Sequence, residues 1–234
     1  MRSSLIIPVL EAARPFHPVV PFETEKDKLL LLDLTNENKV LTAGMLHDIR
    51  AFIAYIGLQL KNSGSRYGIG GYAEHRTIYS GSKVFDPQTP GEEPRRLHLG
   101  TDIWGQPGTA VMAPLDGIVH SFAFNNQFGD YGATIILSHS IEGTSFYTLY
   151  GHLSLNSLKN LEEGDRVSKG DIIAEFGIPA ENGQWPPHLH FQLIEDMGEW
   201  KGDYPGVCKF SEKETWLLNS PDPDIILGLN RYIK

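Results

Sequence analysis

Beyond His98 the chain alternates short apolar runs with glycine and aspartate breaks. TAVMAPLDGIVHSFAF, GATIILSHS, TSFYTLYGHLS, LEEGDRVSKGDIIAEFG and HLHFQLIEDM each carry strand patterning. Asp116-Gly117, Ile141-Glu142-Gly143, Glu163-Gly164-Asp165 and Lys169-Gly170-Asp171 supply the turns between or within them. Many short strands with such punctuation predict a mainly β protein, a compact antiparallel or mixed β-sheet. The first third reads differently. Pro8, Pro15, Pro18 and Pro21 punctuate the apolar patches of residues 1–35, and FHPVVPF within them reads as extended chain. Leu41, Met45, Ile49, Ile53 and Ile56 then recur at helical spacing, predicting one helix near 42–60 with Thr42 as its cap. The pattern divides the chain into an N-terminal extension (1–90) containing that helix, a β domain (91–196) and a C-terminal tail (197–234) packing on it.

The stretch KNSGSRYGIGGYAEHRTIYSG is glycine-rich but has no GxxxxGK[ST], so its glycines read as turns or as close approaches of backbone to a neighbouring strand. His75 and Arg76 within it read either as groove-lining residues or as a polar loop pair. The connection VFDPQTPGEEPRR that follows is long enough to cover a site.

Charge narrows the partners. Twenty Lys and Arg against 29 Asp and Glu leave a net charge of -9 with no basic patch, which argues against nucleic acid. The single cysteine, Cys208, rules out an internal disulfide framework and a four-thiolate metal site. The apolar runs LIIPVL and LLLLDL are too short for a membrane span. No convincing secretory signal develops at the N-terminus, so a cytoplasmic location is expected, and a mature periplasmic or extracellular form without its leader would read the same way.

The candidate chemistry lies in three histidine-bearing segments. HLGTD places His98 and Asp102 four positions apart, YTLYGHLS carries His152, and PPHLHFQL carries His188 and His190 around one leucine. On a strand His188 and His190 share a face with Cα atoms about 6.5 Å apart, while Leu189 and Phe191 face the core. A straight strand would hold His98 and Asp102 about 13 Å apart, and Gly100 permits the bend that closes this distance. Two imidazole nitrogens, one carboxylate oxygen and a water make a catalytic zinc set, in which either His188 or His190 is the third protein ligand. The remaining imidazole and His152 suit proton transfer and oxyanion stabilisation in hydrolysis. Taken singly, His98 reads as a loop histidine, His152 as a bridge between strands and Asp102 as a turn former; their convergence is what points to a metal. His120 and His139 read as residues of sheet faces.

HLGTDIWGQPGTAVMAPLDGIV, YTLYGHLS, LEEGDRVSKGDIIAEFG and PPHLHFQL resemble, in order, the blocks of the lysostaphin and LytM-type zinc metallopeptidases, family M23, over roughly residues 95–195. The resemblance implies that Zn2+ is held by His98, Asp102 and His190, that His152 and His188 are catalytic, and that the substrate is a peptide or muropeptide of bacterial peptidoglycan. It also implies a fold related to the barrel-sandwich folds. The turns LDGIV and LEEGDRVSKGDII resemble those of lipoyl- and biotinyl-type carriers, but the MKM-like triplet that a carrier modifies is missing. The alternative function is a zinc-retaining module that binds peptide or glycan without catalysis.

Overall fold

The computed structural model describes residues 4–87 and 89–233. Among the described residues its N-terminal third contains three α-helices where one is predicted. Helix α1 (Ile6–Ala12) forms although Pro8 lies within it. Proline is tolerated in a first turn because the N–H it lacks has no intrahelical partner there. Ile6 and Leu10, one turn apart, are fully buried in the main core. The predicted helix near 42–60 is broken into α2 (Ala43–His47) and α3 (Ile49–Ser63). Thr42 caps α2 by accepting from the Met45 N–H, and Asp48, in extended conformation, caps α3 by accepting from Arg50 and Ala51. A second strong N-cap inside a helical pattern restarts the helix instead of continuing it. The buried stripe of α3 is Phe52, Ile56 and Leu60: Ile56 is shared with the predicted series, while Phe52 takes the place of Ile53.

Strands β1 (Leu29–Leu32), β2 (Tyr67–Gly70), β3 (Arg95–His98), β4 (Thr101–Trp104), β5 (Ala110–Met112) and β6 (Gly117–Asn125) precede the two longest, β7 (Gly132–Ile141) and β8 (Thr144–Leu153). Then come β9 (Arg166–Val167), β10 (Ile172–Glu175), β11 (His188–Ile194) and β12 (Val207–Lys209), followed by helices α4 (Lys213–Asn219) and α5 (Asp224–Leu227). Eight strands form one sheet in the order β1-β2-β4-β11-β8-β7-β6-β9, and β10-β5 and β12-β3 form two small ones. Among the named strands all pairings are antiparallel except β1 with β2. The β7–β8 hairpin turns on Glu142 and Gly143, both at positive φ, the geometry a tight hairpin requires.

The sheet does not close into a barrel among the described residues. Its end strands β1 and β9 do not pair with each other, and β5 pairs with β10 as a separate layer. That layer and α1 cover one face of the large sheet, where Ile103, Ile135, Leu137, Tyr150, Leu189, Phe191 and Leu193 join Val111, Ala113 and Phe176 in the core. Period-two alternation sends the intervening residues of β4 and β11 to the opposite face. That face carries Asp102, Trp104, His188 and His190. Helix α3 covers it at one end, where the Phe52 and Trp104 rings lie 5.9 Å apart; burial of Phe52 contributes on the order of 2–3 kcal/mol.

Candidate metal centre

The register of β11 on β4 sets Asp102 opposite His190 and Trp104 opposite His188. His98 arrives from β3 through a turn at Leu99-Gly100. At Gly100 a Cβ would lie 2.6 Å from His190 Cε1, so the bend and the imidazole occupy space that only glycine leaves open. Three donor atoms meet there. His98 Nε2 and His190 Nδ1 are 2.9 Å apart, and Asp102 Oδ1 lies 3.2 Å from the former and 3.1 Å from the latter. Tetrahedral bonds of about 2.0–2.1 Å place neighbouring donors about 3.3 Å apart, so the triangle has nearly the right size for zinc.

The hydrogen bonds behind these donors fix which nitrogen is bare. His98 Nδ1–H donates to the Gly71 carbonyl at 2.9 Å, which leaves Nε2 as a lone pair. The Gln192 amide donates to Pro205 O and Ser220 Oγ, so its oxygen faces His190 Nε2–H at 3.0 Å and His190 Nδ1 is the bare atom. Two lone pairs and a carboxylate oxygen, all within about hydrogen-bond distance, repel unless a positive charge sits among them. At His98 a proton is disfavoured: burial, helped by the Arg76 charge, pushes its imidazole down to about 4. Burial alone would raise Asp102, but its neighbours His98 and Arg76 hold it well below the usual carboxylate range. A divalent cation satisfies all three donors, and the outer-shell partners are those that ligating histidines ordinarily have.

Two more imidazoles face the same space. His188 Nδ1–H donates to Pro186 O at 2.7 Å and His152 Nδ1–H to Asn182 O at 2.8 Å, so both turn a bare Nε2 inward. Their ring centroids are 4.1 Å apart, and His188 stacks on Trp104 at 3.9 Å and 12°. Burial lowers His188 to about 4. It also lowers His152 well below the ordinary value, with His188 adding to the shift. His152 has φ 63°, a left-handed conformation uncommon outside glycine, at the end of β8. The backbone holds it there: its N–H donates to Tyr131 O and its carbonyl accepts from Gly177 N. All five residues are at most 6% exposed.

A cavity of about 110 Å³ opens on this face, walled by Tyr79, Phe85, Tyr131, Trp185, Trp200 and Tyr204, with Asp130 and Asp203 in its lining. Phe85 and Arg95 bring the predicted covering connection to the cavity wall. Of the pair singled out in the glycine-rich stretch, His75 is exposed and meets Phe210 edge-on, whereas Arg76 is fully buried and bonded to Asp102. Gly68 and Gly70 of that stretch are points of close approach: a Cβ at Gly68 would lie 2.4 Å from Leu32. His139 bonds Asp116 O and Thr148 within the sheet, and His120 bonds Ser121. Residues that the sequence pattern did not single out include Tyr131, Trp185, Gln192 and Glu74. Each is an ordinary core or loop residue by type, and only the fold brings it near the donors.

Residues 96–201 match the model of peptidase family M23. Two curated relatives of the chain are an L-Ala--D-Glu endopeptidase of Bacillus subtilis (strain 168), 34% identical over 128 residues, and an uncharacterized metalloprotease of Haemophilus influenzae, 37% identical over 98 residues. The matches take in 51% and 42% of this chain but only 37% and 18% of those proteins. Among solved structures, the chain is similar to the catalytic domain of lysostaphin from Staphylococcus simulans, at 24% identity and a TM-score of 0.42, over 75% of this chain and 97% of that one.

Proposed function

We propose that the chain hydrolyses a peptide bond with zinc held by His98, Asp102 and His190, and that its substrates are peptidoglycan-derived peptides. The observation that carries this reading is the convergence of three bare donors with two further bare imidazole nitrogens on one buried face. A zinc ion in this donor set supplies Lewis acidity toward a water molecule and a peptide carbonyl. The chain's own residues handle the proton. His188 Nε2, 4.0 Å from Asp102 Oδ2, accepts it from the attacking water, because the carboxylate offsets part of the burial that disfavours the imidazolium. It then returns the proton to the leaving amine. His152, locked at its strained backbone position, faces the same reaction space and stabilises the developing negative charge. The two rings are close enough that the roles can exchange. The aromatic walls exclude water and grip an extended chain. Cleavage of an L-Ala–D-Glu bond by the Bacillus subtilis relative supports stem peptides as the substrate class.

The test is incubation of the zinc-loaded protein, and of its His188→Ala and His152→Ala variants, with a panel of muropeptides and ordinary peptides. The expected result is metal-dependent release of new amino termini from muropeptides, reduced about 10²–10⁴-fold in either variant while zinc is still bound. Peptide binding without turnover in the zinc-loaded wild type would refute hydrolysis and favour a non-catalytic binding module.

A further inference from the structure

Arg76 lies outside the segment that matches the M23 model, yet its side chain is completely buried against the metal centre. Nη1 donates to Asp102 Oδ2 at 2.5 Å and to Tyr79 OH at 3.0 Å, Nε donates to Glu74 Oε2 at 2.7 Å, and Nη2 donates to Gly71 O at 3.3 Å. Burying a guanidinium is costly, and a buried ion pair by itself is weak evidence for stabilisation. Its geometry points to a different task. Asp102 has one oxygen on Arg76 and the other on the two imidazoles, so the guanidinium decides which oxygen faces the donors. The same Gly71 carbonyl that bonds Arg76 also accepts from His98 Nδ1–H. One loop, residues 71–76, therefore orients two of the three donors. It is itself held by backbone bonds from His98 N to Glu74 O at 3.0 Å and from Arg76 N to Arg96 O at 2.8 Å. Gly70 leaves room for the guanidinium, since a Cβ there would lie 2.6 Å from Nη2.

We propose that Arg76 is a positioning residue for the metal centre, which holds the outer oxygen of Asp102 so that the carboxylate presents a single oxygen to the ion. The inference rests on the zinc reading given above. It differs in sign from the simpler role of a charge neutraliser. A fixed cation beside a cation site repels the incoming metal, so removing a neutraliser would tighten metal binding. Removing a positioning residue loosens it, because loss of an outer-shell partner typically costs 10–100-fold in affinity.

The experiment measures zinc affinity by competition with a chromophoric chelator, and the visible spectrum of the cobalt(II)-loaded protein, for the full chain and for Arg76→Met, Arg76→Lys and Gly70→Ala. Far-UV circular dichroism and thermal melts of the zinc-free proteins report folding. Arg76→Met is expected to bind zinc about 10–100-fold more weakly. Its cobalt bands should weaken as the freed carboxylate swings to offer both oxygens and raises the coordination number. Arg76→Lys keeps the charge but cannot span Glu74 and Asp102, and should share the spectral change. Gly70→Ala, whose Cβ would lie nearest the guanidinium Nη2 at 2.6 Å and next to Trp104 Nε1 at 3.0 Å, should move the spectrum in the same direction and decides the matter if Arg76→Met does not fold. Unchanged or tighter zinc binding with an unchanged cobalt spectrum in a folded variant overturns the positioning role. A wild-type protein that binds no zinc overturns the zinc reading itself, a distinguishable outcome.

Discussion

Gly100→Ala tests the metal centre without altering any donor. A Cβ at this position would lie 2.6 Å from His190 Cε1, 2.7 Å from Nε2 and 2.8 Å from the Phe191 carbonyl oxygen. Comfortable carbon contacts begin near 3.5 Å, so the ring must retreat by about 1 Å or the backbone must shift with it. Retreat is resisted on its other sides by Tyr131, whose ring centroid is 5.1 Å away, and by His98 at 4.8 Å. Metal sites tolerate donor errors of only about 0.2 Å, so a shift of this size should lower zinc affinity by about 100-fold. The overpacking itself should cost the zinc-free protein about 1–3 kcal/mol. Chelator competition measures the first quantity and urea unfolding of the zinc-free protein the second. A folded Gly100→Ala protein with wild-type zinc affinity would refute the claim that this bend and the His190 ring share one space.

Asp48→Ala removes the cap that restarts the helix between α2 and α3, and should cost about 1 kcal/mol in urea unfolding while leaving zinc affinity unchanged; a change in affinity would mean that α3 steers the donors. His139, remote from the donors, is lowered from 6.5 to about 4 by burial. The unfolded chain therefore takes up its proton first, so the contribution of this group is complete above pH 6.5 and is lost as the pH falls toward 4, about 3 kcal/mol for 2.5 units at 1.36 each. Urea midpoints of the zinc-free protein between pH 7 and 4.5 should fall less steeply in His139→Gln than in wild type, and identical slopes would refute the assignment.

The five candidate residues can be picked out along the chain because their signals are local. His188 and His190 alternate with Leu189 and Phe191, and a period of two is a property of any strand, so their shared face follows without knowing the neighbours. HLGTD carries its own bend at Gly100. The strands and turns after His98 were legible for the same reason, since apolar alternation and glycine-bearing turns are set by adjacent residues. Where two local rules competed, the reading failed. The stripe from Leu41 to Ile56 outweighed Asp48, whose side chain caps a new helix, and Pro8 masked a helix that begins early enough to tolerate it.

Tertiary structure alone decided the rest. The register of β11 on β4 puts His190, not His188, beside Asp102, and no sequence pattern records which residues face each other across strands nearly ninety positions apart. The bare nitrogen of each imidazole is chosen by a carbonyl or amide oxygen from elsewhere in the chain: Gly71, Asn182, Pro186 and Gln192. Arg76 reads as either a groove-lining or a polar loop residue until β2 pairs with β4 and sets Gly70 opposite Asp102, which brings the guanidinium to the carboxylate. Chemistry that depends on residue type and short spacing is written along the chain, whereas chemistry that depends on the direction of a lone pair exists only once distant backbone is in place.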